Sequence, residues 1–250
     1  MKVLICGKGG SGKSTIVALL SKEMAERGNK VLVIDSDESN VGLHHRLGMA
    51  KPTDFMDYFG GKKILFEKTK GITGKWGMDD LPNEYLSEKG NITLLSMGKI
   101  REFGEGCACP INALSAKVLE ILDLGQNEFL IADTDAGLEH FGRGVEKGVD
   151  LLVVVVDPSR DSILLAQRIS GLGKQLNKPT YYVINRINQE TEKLLLDSVN
   201  KEKVIAVIHE SRDVFMSCLS GDELTISLEG INRIADRLES EKKKAATKSI

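Results

Sequence analysis

Seven short, nearly continuous runs of Val, Ile and Leu are spaced along this 250-residue chain. Apolar residues within the runs do not alternate with polar ones, which is typical of strands buried on both faces of a parallel sheet. Longer amphipathic stretches separate the runs, so helical crossovers are expected between consecutive strands. The sequence therefore predicts an α/β fold with a doubly wound, mostly parallel β-sheet flanked by helices. The predicted strands are Lys2–Cys6, Lys30–Asp35, Ile92–Met97, Phe129–Asp133, Leu151–Val156, Thr180–Asn185 and Val204–Ile208.

A single domain over residues 1–250 is expected, because neither a repeat nor a linker interrupts this alternation. Residues from about 51 to 90 depart from it, with several glycines, mixed charge and the one tryptophan. This excursion is interpreted either as an ordered loop packed by its own side chains or as a partner-docking insert. Residues 242–250 are expected to be a frayed, solvated helix end. The predicted helices are Lys13–Arg27, Leu114–Leu124, Ser162–Leu176, Glu190–Val199 and Leu228–Leu238.

The charge balance argues against several classes of protein. The 34 basic and 36 acidic side chains are spread along the chain, so no strongly basic face for nucleic acid is expected. No apolar stretch approaches the roughly 18 residues that a membrane span needs. The apolar start is also too short for a secretory signal. We therefore expect a cytoplasmic protein that binds neither nucleic acid nor membrane.

Four cysteines occur in the chain. A reducing compartment makes a disulfide framework improbable, so a close pair of cysteines is better interpreted as metal-binding or redox-active. Cys107 and Cys109 form such a pair, with the spacing C-x-C. Cys6 lies in a predicted buried strand and Cys218 in a helical stretch, so these two are interpreted as small core residues.

The segment GKGGSGKS, residues 7–14, follows the first predicted strand directly and opens the first predicted helix. It satisfies G-x-x-x-x-G-K-[ST], the pattern of a loop that binds the phosphates of a nucleoside triphosphate. Glycines let backbone N–H groups curl around phosphate oxygens, and the helix N-terminus adds donors and a favourable dipole. Lys13 is expected on the β- and γ-phosphates and the Ser14 hydroxyl on Mg²⁺. The residues predicted to bind the nucleotide here are Gly7, Lys8, Gly9, Gly10, Ser11, Gly12, Lys13, Ser14 and Thr15.

The same loop also satisfies the dinucleotide fingerprint G-x-G-x-x-G, through Gly7, Gly9 and Gly12. Asp35 or Asp37 then lies about where a ribose-binding acid would follow. The lysine and hydroxyl residue at the helix start favour the triphosphate interpretation, because a dinucleotide fingerprint needs neither of them.

Lys8 occupies a position that the phosphate-loop pattern leaves free. With this second lysine, the loop resembles the deviant phosphate loop of the MinD, ParA and nitrogenase iron-protein group of dimeric ATPases. The resemblance implies ATP and ADP as ligands, a homodimer, and a Lys8 side chain that crosses the interface to the partner's nucleotide. A cation delivered in trans acts like an arginine finger, so hydrolysis would be tied to dimer closure.

Acidic residues end or follow two predicted strands at the carboxyl edge of the sheet, where open α/β sheets bind ligands. The same resemblance implies that Asp37 aligns the attacking water, that Asp35 lies in the outer magnesium shell and that Asp133 holds a magnesium-bound water. Gly137 resembles the glycine that senses the γ-phosphate, and Asn185 resembles the asparagine that contacts adenine. A strand-end aspartate alone is as often a cap or turn residue, so these roles depend on their combination with the loop.

The C-x-C pair supplies two thiolates, half of a tetrahedral site for a soft metal, so a complete site would need other ligands or a second copy of the chain. With this pair the chain resembles the CooC-type nickel-insertion ATPases over essentially its whole length. The resemblance includes the stretches Met97–Ile100, Asp135–His140 and Val183–Arg186. It implies Ni²⁺ or Zn²⁺ bound by Cys107 and Cys109 of two subunits. It also implies a client metalloenzyme, carbon monoxide dehydrogenase or a related enzyme.

Two further functions stay open. An ATP-switched assembly adaptor of the MinD/ParA group would use the same nucleotide site without a metal of its own. An iron-protein-like reductase would bridge a [4Fe-4S] cluster with two well-separated cysteines from each subunit. Residues 133–137 contain no cysteine, which disfavours the reductase.

Overall fold

The structure, a computed structural model, describes residues 1–38, 42–61, 64–65, 68, 73–99, 109–134 and 144–248. The strands are β1 Lys2–Gly7, β2 Lys30–Asp35, β3 Leu86–Lys89, β4 Ile92–Ser96, β5 Glu128–Asp133, β6 Leu151–Val156, β7 Thr180–Ile187 and β8 Val204–His209. The α-helices are α1 Lys13–Glu26, α2 Leu43–Leu47, α3 Cys109–Ile121, α4 Arg160–Gln175, α5 Gln189–Ser198, α6 Arg212–Ser220 and α7 Glu229–Lys248.

The eight strands form one sheet in the order β3-β4-β2-β5-β1-β6-β7-β8. Every pair is parallel except β3 with β4. The predicted doubly wound, mostly parallel sheet is therefore confirmed. Among the described residues, no helix is both long enough and apolar enough to cross a membrane.

Helices cover both faces of the sheet. Successive side chains of a strand point to opposite faces, so a continuous apolar run makes both faces apolar, and helices bury them. On one face, Ile5 of β1 packs in a cluster with Ile16 of α1 and Ile234 of α7. On the other face, Leu4 packs in a cluster with Val118 of α3. Each strand except the edge strand β3 therefore contributes side chains to two separate cores, and a residue's place in its strand decides which helices it meets.

The edge strand β3 was not predicted. Its sequence, Leu86–Lys89, contains no apolar run, and its last two residues are exposed. It pairs with β4 alone and in the antiparallel direction. An edge strand that is half exposed lacks the continuous Val/Ile/Leu pattern by which the other strands are recognised.

The described residues of the 51–90 excursion pack onto the sheet through their own side chains. Phe55, Met56 and Phe59 of a 3₁₀ helix lie in the core, together with Leu81. The Phe55 ring also stacks on the Tyr58 ring, with centroids 5.6 Å apart. The described part of the excursion is thus an ordered loop with an aromatic anchor.

Helix α7 extends to Lys248 and so includes most of the segment predicted to be a frayed, solvated helix end. Lys242 Nζ donates a hydrogen bond to the Glu128 carbonyl at 2.6 Å and lies 4.0 Å from the centroid of the Phe129 ring. These two contacts attach the later turns of α7 to the start of β5.

Candidate nucleotide site

The glycine-rich loop joins the end of β1 to the start of α1 at the carboxyl edge of the sheet. Gly7, Gly10 and Gly12 have φ values of 149°, 80° and 99°, in the region that favours glycine. A Cβ on Gly7 would lie 2.5 Å from the Val155 carbonyl oxygen, so the loop also passes close to β6. The glycines are therefore required by the path of the backbone.

Two residues near the end of β7 hold this loop. Asn185 Nδ2 donates to the Ser11 carbonyl at 2.8 Å, and Arg186 Nη1 donates to the Gly10 carbonyl at 2.7 Å. Arg186 has a φ of 56°, an uncommon value for a residue with a side chain, where the register of β7 and β8 shifts. Unusual backbone of this kind persists only where the surrounding structure determines it. The loop conformation thus depends on a strand far away in the sequence.

The first turn of α1 is suited to bind an anion. Its N-cap is Gly12, which provides no capping side chain, and the first turn contains no acidic residue. The backbone N–H groups of this turn and the positive end of the helix dipole therefore face the loop, and the N-cap residue has no side chain that could cap them. Lys13 is 5% exposed, and its Nζ donates to the Lys8 carbonyl at 3.4 Å, which adds a positive charge at the same place.

Asp35 and Asp133 are register partners at the ends of the adjacent strands β2 and β5. Both point to the sheet face that α1 covers, because Val33 and Ile131, two positions earlier, pack there. Both carboxyl groups are buried. Asp133 Oδ1, Asp133 Oδ2 and Asp35 Oδ1 have no hydrogen-bond partner.

Burial raises the pKa of both carboxyl groups, to about 6 for Asp35 and to about 7 for Asp133. The charge of Asp35 raises the pKa of Asp133 further, whereas the nearby Ser14 hydroxyl and Lys13 ammonium lower it. Buried carboxylate oxygens without a hydrogen-bond partner are unfavourable unless a cation binds them. The carboxylate oxygens therefore fit Mg²⁺, which prefers oxygen ligands.

Within the described ranges, no group of three or more His, Cys, Asp or Glu side chains is arranged to hold a metal ion. A magnesium ion beside Asp35 and Asp133 would accordingly take its other ligands from phosphates and water, as is usual for Mg²⁺ in nucleotide sites. Cys107 and Gly137 lie outside the described residues, and so does the side chain of Cys109, whose backbone begins α3.

Lys99 belongs to the site and was not predicted as a site residue. Its Nζ lies 2.7 Å from Asp35 Oδ2 and also donates to the backbone carbonyl of Asp37. The side chain is 5% exposed, and its charge lowers the pKa of Asp35 against the effect of burial. The signal in the sequence is a lysine placed directly after a buried strand, at the sheet edge where the aspartates also lie.

A side cavity of about 680 Å³ opens next to the loop. Its walls include Thr15 of α1, Asn185 of β7, and Phe215 and Cys218 of α6. Thr15 Oγ1 and Cys218 Sγ are 3.7 Å apart. Cys218 is only partly buried: it packs against the core from the cavity wall, whereas Cys6 is 1% exposed, as predicted. A larger cavity, of about 820 Å³, lies at the opposite sheet edge and contains none of the predicted site residues.

A model of the CobQ/CobB/MinD/ParA nucleotide-binding domain matches residues 2–224. An uncharacterized ATP-binding protein of Methanocaldococcus jannaschii is 47% identical over 95% of this chain and 99% of its own length. The carbon monoxide dehydrogenase accessory protein CooC of Rhodospirillum rubrum is 34% identical, over 75% of this chain and 74% of its own.

Solved structures show the same architecture. The septum site-determining protein MinD of Pyrococcus horikoshii OT3, complexed with Mg-ADP, superimposes with a TM-score of 0.71. The match covers 95% of both chains at 18% sequence identity. The family match and the relatives together confirm the predicted MinD/ParA resemblance. This chain belongs to the CobQ/CobB/MinD/ParA nucleotide-binding family and is an ATPase.

Proposed function

We propose that this ATPase is a homodimeric metallochaperone. In this proposal, ATP closes the dimer, and closure gathers Cys107 and Cys109 of both subunits around one divalent metal ion. The protein then assists nickel insertion into carbon monoxide dehydrogenase or a related metalloenzyme. The nickel ion is cargo, and the resident ligands are ATP or ADP with Mg²⁺.

The glycine loop and the open first turn of α1 bind the phosphates through backbone N–H groups, and Lys13 contacts the β- and γ-phosphates. Ser14 would ligate Mg²⁺, and Asp133 and Asp35 would help to hold it through water, which would give a partner to the buried oxygens Asp35 Oδ1, Asp133 Oδ1 and Asp133 Oδ2. When bound, Mg²⁺ supplies positive charge that offsets the charge on the phosphoryl group. The walls of the side cavity receive the adenine. The Asn185 amide retains hydrogen-bonding capacity beyond its bond to Ser11.

Hydrolysis requires groups that act on the γ-phosphate and on the attacking water. Asp37 aligns the water, Gly137 senses the γ-phosphate, and Lys8 reaches the nucleotide of the partner subunit. Lys8 lies half-buried in the loop, beside the exposed Gly9 and Gly10, which is consistent with contact to a second chain. A cation supplied in trans would make hydrolysis conditional on a closed dimer.

One observation carries the metal proposal: α3 begins at Cys109, the second cysteine of the C-x-C pair, in a chain 34% identical to a CooC protein. Thiols at a helix N-terminus ionise more readily, and the thiolate is the form that binds metal. Two thiolates from each subunit make the tetrahedral sulfur set that a soft divalent ion accepts.

The experiment is a titration of the reduced protein with Ni²⁺ and, separately, with Zn²⁺, with and without ATP and Mg²⁺. We expect one ion per two chains and tighter binding with ATP. Binding should be lost in a Cys107→Ser/Cys109→Ser variant and kept in Cys218→Ser, which removes a cysteine outside the pair.

Metal binding that is unchanged in the double variant would contradict the proposal. An active ATPase without metal affinity would favour the assembly adaptor. A [4Fe-4S] chromophore shared by two chains would favour the iron-protein-like reductase.

A further inference from the structure

Lys99 is a buried lysine at the edge of the nucleotide site. It lies three residues beyond the end of β4 and is 4% exposed. Its Nζ is 2.7 Å from Asp35 Oδ2 and also donates a hydrogen bond to the carbonyl of Asp37. One ammonium group thus contacts the last residue of β2 and the second residue beyond it.

The backbone that leads to Lys99 is held in place. The Met97 N–H donates to the Asp35 carbonyl at 2.9 Å, and the Met97 carbonyl accepts from the Met56 N–H at 3.1 Å. Gly98 has a φ of 155°, and a Cβ on it would lie 2.8 Å from Met56 Sδ. The position of Lys99 is therefore set by a turn that requires glycine immediately before it.

The two contacts of Lys99 do different things. Burying a lysine is costly unless it is paired, and its ion pair with Asp35 offsets that cost for both groups. The carbonyl of Asp37 carries no net charge, so the second contact does not balance the Asp35 charge. It instead restrains the peptide group that follows Asp37, in a segment without regular secondary structure.

Asp37 lies just beyond the β2 ladder. The Ser36 N–H donates to the Asp133 carbonyl at 2.9 Å, which still ties the chain to β5, and Asp37 follows at 8% exposure. The direction of the Asp37 carboxylate depends on the backbone torsions at residues 36 and 37. By holding the Asp37 carbonyl, Lys99 restrains those torsions from the β4 side.

We propose that Lys99 is a positioning residue for ATP hydrolysis, one that keeps the Asp37 carboxylate directed at the attacking water. This inference rests on the role given to Asp37 in the proposed function. Both described contacts of Lys99 are on the carboxylate side of the site, so its loss should slow the chemical step and leave nucleotide binding to the glycine loop.

The first test compares Lys99→Met, which keeps the length of the side chain and removes its charge, with the parent. We expect kcat to fall about 10- to 100-fold, as small displacements of reacting groups do. The KM for ATP and the Kd for a fluorescent ADP with Mg²⁺ should stay within about threefold, because ground-state binding is kept. A kcat equal to the parent's, or a parallel loss of ADP binding, would overturn the inference.

A matched control is Lys22→Met. Lys22 Nζ likewise contacts a carboxylate and a carbonyl, Glu223 Oε1 at 2.5 Å and the Leu224 carbonyl at 2.7 Å, but outside the nucleotide site. This variant should lower the melting temperature and keep the parent's kcat. If Lys22→Met slows hydrolysis as much as Lys99→Met does, the effect is one of general stability and the inference is wrong.

A second comparison remains usable if Lys99→Met fails to fold. Asp35→Asn/Lys99→Met removes the Asp35 charge together with its Lys99 counterion, and the reference is Asp35→Asn alone. We expect the double variant to be at least about tenfold slower than the reference, because the Asp37 carbonyl has lost its donor. Equal rates would mean that Lys99 only neutralises Asp35, which overturns the inference.

Asp37→Asn tests the proposed role of Asp37 separately from the inferred role of Lys99. If Asp37→Asn hydrolyses ATP at the parent's rate, the proposed role of Asp37 is wrong and the role of Lys99 falls with it. If Asp37→Asn is slow while Lys99→Met is unaffected, the inference about Lys99 alone is wrong.

Discussion

Asn185 donates a 2.8 Å hydrogen bond from its side-chain amide to the carbonyl of Ser11, a residue 174 positions earlier. The bond is buried and connects β7 to the glycine loop. The loop proposed to bind the phosphates is therefore held by the same residue that borders the side cavity.

Asn185→Ala should weaken ADP binding about tenfold, since loss of a buried hydrogen-bond partner costs about 1–3 kcal/mol. Titration with a fluorescent ADP measures this. The matched control is Asn188→Ala, which removes the N-cap of α5 and should reduce stability rather than affinity. Equal ADP affinities for Asn185→Ala and the parent would show that the loop holds its shape without this bond.

Gly12→Ala and Gly171→Ala should have opposite effects on stability. An alanine at Gly12 would adopt a φ of 99° and place its Cβ 2.4 Å from Asn185 Nδ2, so unfolding should become easier and ADP binding should be lost. Gly171 lies inside α4, and a Cβ there meets no atom within 4 Å. Gly171→Ala should therefore stabilise the protein by about 0.5–1 kcal/mol, measured by chemical denaturation. Destabilisation by Gly171→Ala would contradict the expectation that this position of α4 has room for a Cβ.

The thiols of Cys218 and Cys6 should differ sharply in reactivity. Burial raises the pKa of the Cys6 thiol to about 12, so alkylation at neutral pH should not reach it in the folded protein. Cys218 is half-buried at the side cavity and should react. In a Cys107→Ser/Cys109→Ser background, mass spectrometry should find that Cys218 is alkylated rapidly and Cys6 is not. Saturating ATP with Mg²⁺ should slow the alkylation of Cys218. Labelling of Cys218 at the same rate with and without nucleotide would argue that the base binds elsewhere.

Glu223 should contribute a pH-dependent part of the stability. Hydrogen bonds from Lys22 and Lys89 lower the pKa of Glu223 below the ordinary 4.5. Its contribution is thus present above pH 4.5 and is lost as the pH falls through the lowered pKa of the folded state. Glu223→Gln should cost about 0.5–1 kcal/mol at pH 7, because the two ion pairs are partly exposed, and less at pH 3.

Denaturation curves at both pH values test the Glu223 prediction, and Glu229→Gln is the control. Glu229 also forms an ion pair, with Arg233, but its side chain is 79% exposed, so little change is expected at either pH. A Glu223→Gln deficit that persists undiminished at pH 3 would show that lost packing rather than charge causes it.

The central strands could be predicted closely, because burial on both faces leaves a continuous apolar run in each of them. The first residues of α3 could not. Helix α3 begins at Cys109, whereas the apolar period predicts a start at Leu114. The first turn of α3, before Leu114, does not share the regular spacing of apolar residues that follows it. Hydrophobic spacing alone therefore does not reveal that this turn is helical.

Part of the candidate site could be predicted and part could not, because only some of its residues belong to a local sequence pattern. The loop has a local pattern, and Asp35 and Asp133 end recognisable strands, so their register pairing follows from the fold. Lys99 has no pattern of its own, and its burial depends on the turn at Gly98 against Met56, a contact between distant parts of the chain. A single lysine after a strand is usually solvated, and only its surroundings in the fold distinguish this one.

The strand order also bears on how the protein is made. β1 is translated first but lies between β5 and β6, and the loop that follows it is held by Asn185. During synthesis the loop must therefore wait until residue 185 has emerged before its supports exist. Sheets built from such distant pairings form late, so ATP binding would mark completion of the central sheet and then stabilise it. We therefore expect the nascent chain to bind its nucleotide only once most of it has been synthesised.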